Sequence, residues 1–203
     1  MGMYLELAPV SAATIARLHA DPALAMQIFD PDDPEAADRV RPKPKGPGLV
    51  GRLLGRKPLP PPPPPEPLVL EPGEGTVVNI DKAWQAAHYL LTGSQWEGDP
   101  PLNFLLVGGT DLDADWGDTP PRTFSPVETR AIADALAALS EDELGARFDP
   151  ARMMELEIYP EIWDRPPAPG ENQRGWVLEA LRDVRTAVSE AARRGYGLLL
   201  SIG

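Results

Sequence analysis

The sequence has no cysteine, only two histidines and 6% aromatic residues. The missing cysteine removes disulfides, thiolate metal sites and cysteine nucleophiles together. The two histidines, His19 and His88, form no H-E-x-x-H helix, and no paired His and carboxylate cluster is present. Asp111, Asp113, Asp115 and Asp118 fail as a calcium loop, because Trp116 and Arg122 stand where that loop needs Gly and Glu. No metal centre is expected. Residues 51–57 lack the glycine spacing of a Walker loop and its Ser or Thr after Lys, and no G-x-S-x-G elbow is present. No cofactor is implied, and no catalytic residue is assigned. No apolar window approaches the roughly 20 residues a membrane span requires, and the opening residues carry no basic start ahead of an apolar stretch. The expectation is a cytoplasmic protein without a membrane span.

What is present is enough for one core: 203 residues, 42% of them hydrophobic. The net charge of -12 is unevenly spread. Between Arg39 and Lys57 lie seven basic residues and no Asp or Glu, so the rest of the chain holds 12 basic against 31 acidic residues. Such an acidic body repels phosphate backbones, and nucleic-acid binding by the globular part is not expected.

Proline then divides the chain. From residue 31 to about 75 the periodicity collapses around a run of six prolines, Pro60 to Pro65, which supplies no helix or ladder donors. The reading is a single domain over 1–203 with a basic, Pro-rich insertion or flexible linker at 31–75. Inside it Leu49, Val50, Leu53 and Leu54 fall at helical spacing among Arg52, Arg56 and Lys57.

Outside the insertion, residues 3–7 read as a strand. Ser11 caps a helix to about residue 20, and Asp21-Pro22 restarts one with Leu24, Ile28 and Phe29 inward. Residues 77–80 read as a strand leading into a helix capped by Asp81 and ended by Gly93. A short helix from Asp99-Pro100 and an edge strand at 122–124 follow. Two capping boxes, Ser125 with Glu128 and Ser140 with Glu143, start helices, and Asp149-Pro150 starts a third. Residues 171–194 form the longest helix, with Val177, Leu181, Val184, Val188 and Ala191 as its stripe. The apolar residues 196–202 make a buried strand, which at a sheet edge could pair between subunits. The fold class is α+β: a small mixed sheet holding the first and last strands, covered by several helices.

The chemistry-bearing residues are few. Trp84 and His88 lie four apart on one helix face. His88 is either a titrating contact at a pocket wall or a core residue bonded to a carbonyl, and with no second histidine nearby the core reading is preferred. In Tyr159-Pro160-Glu161-Ile162-Trp163, proline ends a helix and Trp163 anchors the next loop. Arg122 offers a fork for a carboxylate or phosphate. Trp84, His88, Arg122, Tyr159 and Trp163 are therefore the ligand-binding candidates.

The segment 81–93, the segment 158–163 and the opening Met1-Gly2-Met3 together resemble the YfbM-like family, bacterial proteins classed as a domain of unknown function. Asp115-Trp116-Gly117 with Pro121-Arg122 resembles its Gly-rich loop, although Asp118-Thr119-Pro120 replaces the aromatic and second glycine usual there. The resemblance implies a fold and no reaction. Three functions stay open: a domain binding a protein or small-molecule partner, an enzyme acting on an anionic small molecule near His88, and an interaction protein docking through its basic insertion. Oligomeric state is unreadable.

Overall fold

The computed structural model describes residues 2–33, 35–40, 66–113, 119–166, 170 and 172–203. Five strands form one sheet in the order β2-β1-β5-β4-β3: β1 Leu5–Val10, β2 Val78–Asn79, β3 Thr110–Asp111, β4 Arg122–Phe124 and β5 Gly197–Ile202. The α+β class holds, with first and last strands paired at the centre of the sheet. Every pairing is antiparallel, where a mixed sheet was expected. A parallel pair needs a crossover returning the chain to its starting end. Here the described neighbours are joined by a short loop or by excursions of several helices.

Alternation along the central strands explains the layers. Leu5, Leu7, Leu198 and Leu200 enter one apolar cluster, whereas Ala8, Val10 and Leu199 enter another with Leu18, Leu24 and Ile28. Helices therefore cover both faces, and this is why residues 198–200 read as an unbroken apolar run. β5 lies between β1 and β4, so it is not an edge and offers no pairing to a second subunit. β4 is likewise internal, flanked by β5 and β3, and all three of its residues are buried. β1 runs past the expected residue 7 through Pro9. The pairing with β2 ends at Leu7, so the missing proline donor breaks no ladder on that side.

One face carries α1 Ala12–Ala20, a 3₁₀ turn at Pro22–Ala25 and α2 Met26–Phe29. A short α3, Ala36–Val40, stands where the composition gave no periodicity. On the other face are α4 Trp84–Thr92, α5 Pro126–Ala137, α6 Glu141–Ala146, α7 Pro150–Glu155 and α8 Gln173–Arg194. Both capping boxes form, and the whole predicted stripe of α8 is buried. No helix among the described residues is long and apolar enough to cross a membrane.

Two local expectations fail for identifiable reasons. Asp81 does not cap: it has φ +45°, its own N–H donates to Asn79 Oδ1 at 2.7 Å, and it heads a 3₁₀ turn, Asp81–Ala83, that leads into α4. Residues 100–106 are successive turns and not a helix, since Pro101 disfavours helical backbone at Pro100, where the helix was expected to begin.

The basic residues from Arg41 to Lys57, the apolar residues between them and the proline run lie outside the described residues. The chain resumes at residue 66 as an arm laid on the body. Arg17 donates to the carbonyl of Pro67 at 3.1 Å, Gln27 Oε1 accepts from the Leu68 N–H at 2.9 Å and Arg194 donates to the Pro72 carbonyl at 2.7 Å. Glu74 is buried, its carboxylate accepting from the N–H groups of Ser11 and Glu71. Burial pushes that carboxyl up, but these bonds and the Ser11 and Thr14 hydroxyls outweigh it and hold it below its usual value.

Candidate functional site

Every residue of α4 from Trp84 to Leu91 is buried. A helix enclosed on all sides has no solvent for its polar atoms, which must find partners within the protein. They find main-chain groups. Gln85 donates from Nε2 to the Gln95 carbonyl at 3.3 Å and accepts the Tyr159 N–H on Oε1 at 2.6 Å. His88 is 0% exposed, with Nε2 2.9 Å from the Glu97 carbonyl, so Nε2 carries the hydrogen. Its Nδ1 has no hydrogen-bond partner among the described residues. Burial drives the His88 pKa below its ordinary value; the Glu97 bond works against that, and the charge of Arg122 adds to it. The ring is a neutral imidazole at pH 7.

Arg122 is 6% exposed and reaches the same stretch of chain from β4. It donates to the carbonyls of Leu105 at 2.8 Å and Gly108 at 3.0 Å, with its Cζ 5.8 Å from the centre of the Phe124 ring. Burial brings its pKa down to about 10, partly countered by Asp111, so it stays charged at neutral pH. Asn103 adds a bond to the Gly98 carbonyl at 2.8 Å. Residues 94–109 contain no helix or strand. Buried side chains hold that segment by the carbonyls of Gln95, Glu97, Gly98, Leu105 and Gly108.

The aromatic candidates do the same at two other places. Trp84 donates Nε1–H to the Met3 carbonyl at 3.3 Å and stacks on Tyr159 at 5.5 Å. The Tyr159 hydroxyl accepts the Met3 N–H at 3.1 Å. Met3, Trp84 and Tyr159, distant in sequence, thus meet in one cluster. Trp163 belongs to a second column, stacked on Trp176 at 6.2 Å and edge-on to Phe148 at 5.8 Å, and it donates to the Ile158 carbonyl at 2.6 Å.

The structure brings Trp84 against Tyr159 and places His88 within the field of Arg122. Trp163 stands apart from both pairs in its own ring contacts. The cavities beside Phe124, Trp176 and Arg194 are lined by none of these five residues. Among the described residues no group of three or more His, Asp or Glu could hold a metal ion. Asp115, Trp116, Gly117 and Asp118 of the acidic loop lie outside the described residues.

Sequence reasoning passed over Gln85 and Trp96. Gln85 carries no motif, and its one signal is a position three residues before His88, on the same side of the helix. Trp96 is 53% exposed, its ring 6.2 Å from that of Trp84. The non-glycine residues with left-handed backbone among those described are Asp81, Glu157 and Glu161, at φ +45°, +50° and +57°. All three are exposed and lie within three residues of Trp84 or Tyr159 in sequence.

No curated protein matches the chain. A crystal structure of YfbM from Escherichia coli, a protein of unknown function, superposes with a TM-score of 0.56 over 98% of this chain and 99% of that one, at 19% identity. That likeness shows the fold alone. Residues 1–201 match the profile of a domain of unknown function, DUF1877, and the chain belongs to that family.

Proposed function

We propose that the chain is a non-catalytic binding domain of the cytoplasm, with residues 94–109 as its recognition element and Trp96 as the side chain that meets a partner protein. The observation that carries this reading is a half-exposed tryptophan held against a buried one, on a segment fixed from beneath by His88, Gln85 and Arg122. Aromatic side chains on a rigid support contribute most to protein interfaces. Left-handed backbone at Asp81, Glu157 and Glu161 adds support, since such strain gathers at functional surfaces. The exposed acids beside the aromatic cluster favour a basic protein surface and disfavour nucleic acid. Catalysis near His88 has less support, because its donor nitrogen is engaged and solvent does not reach it. In this reading the chain is one domain, and residues 31–75 are an insertion in it.

Site-specific photocrosslinking tests the proposal. A photoreactive side chain replacing Trp96 captures a defined partner in the cell, and one replacing Val127, which is 80% exposed, does not. Identical patterns from both positions, or no product from position 96, would refute it.

A further inference from the structure

Between the turn at residues 100–109 and helix α5 lies a groove of about 310 Å³ that no motif pointed to. Val107 and Ala131 give it exposed apolar walls, and the buried Phe104, Phe124 and Ile132, each at most 3% exposed, form its floor. Its volume falls at the lower end of the range for small-molecule sites, roughly 300–1,000 Å³.

The groove is held open from behind. Arg122 ties the carbonyls of Leu105 and Gly108 to β4, fixing the turn that forms one wall. Gly109 lets this turn lie against the strand: a Cβ there would sit 2.7 Å from the Thr123 carbonyl oxygen and 3.0 Å from Phe124 Cζ. Phe104 and Phe124 meet edge to face at 6.3 Å beneath it.

Glu128 is the ionisable residue of the lining. Its Oε2 accepts both the N–H and the hydroxyl of Ser125 at 2.7 Å, which satisfies the helix start. Oε1 takes no hydrogen bond among the described residues, so this exposed carboxylate keeps a free acceptor on the groove's lining. Arg122, the cation behind the wall, directs its donors to carbonyls and does not line the groove.

We infer that this groove binds a small organic ammonium, its aromatic or branched aliphatic body against Val107 and Ala131, over a buried floor of Phe104, Phe124 and Ile132, and its cationic end on Glu128. The inference does not depend on the role of Trp96.

Phenethylammonium is the probe, titrated into the full chain while the amide signals of Gly108, Gly109 and Ala131 are followed by NMR. Saturable shifts at those positions are expected. Glu128→Gln weakens binding about fivefold, as for a partly exposed ion pair, while glutamine keeps the capping geometry. Ala131→Trp, at an exposed helix position, fills the mouth and abolishes binding. 3-Phenylpropionate, with a similar body and the opposite charge, binds at least about fivefold more weakly. The inference is overturned if phenethylammonium gives no saturable shift, if 3-phenylpropionate binds as tightly, or if either variant binds like the parent chain.

Discussion

Residues 94–109 separate two regions that use their side chains in opposite ways. On the inner side, Trp84, Gln85, His88 and Arg122 are buried, and each engages a main-chain carbonyl. On the outer side, Trp96 at 53% exposure and Val107 at 40% leave apolar surface uncovered. The residue types with the most chemical reactivity thus hold the chain in place, and ordinary aromatic and aliphatic residues such as Trp96 and Val107 lie at the surface. Burial here commits donors of His88 and Arg122 to main-chain carbonyls.

Trp84→Ala is the harshest test of the inner region. It removes a fully packed indole and the stack on Tyr159, and urea unfolding should lose about 3–5 kcal/mol of stability. A loss below about 1 kcal/mol would mean that the cluster is loosely packed. Arg122→Met comes next. One buried and one part-buried carbonyl lose their donor, partly offset by relief of a buried cation with no ion pair among the described residues, and the expected cost is about 2–3 kcal/mol by the same measurement.

A smaller effect follows from His88. Its pKa is depressed in the fold, so as pH falls below the ordinary value of 6.5 the unfolded chain takes up a proton that the folded chain refuses. Stability should therefore decline between about pH 7 and pH 5.5, and His88→Gln should flatten that part of the profile. An unchanged slope in the variant would remove His88 as the cause. The smallest change in stability is expected outside, where Trp96→Ala alters it by about 0.5 kcal/mol or less. A large loss there would erase the contrast between the two regions.

Local chemistry made much of the fold legible. Ser125 with Glu128, Ser140 with Glu143 and Asp149 with Pro150 announce helix starts because a cap and its target lie within one turn. Gly93 announces an end for the same reason, with φ +76° and its N–H on the Tyr89 carbonyl. Strand order was illegible, since β1 meets β5 across almost the whole chain and no local pattern encodes which strand is central. Asp81 misled because Asn79, two residues earlier, takes its N–H first. The sequence singles out Trp84 and His88 by residue type and spacing, but whether Nε2 meets water or the Glu97 carbonyl depends on a loop nine residues away.

The central claim is that α4 and β4 side chains hold residues 94–109 in place. Hydrogen exchange of His88→Phe, read by mass spectrometry beside the parent chain, tests it most directly. The substitution keeps a planar aromatic ring, larger than imidazole, and removes the donor to the Glu97 carbonyl. Peptides covering 94–109 should exchange faster, while those covering β1 and β5 keep their protection. Faster exchange spread evenly over the chain, or no change within 94–109, would contradict the account.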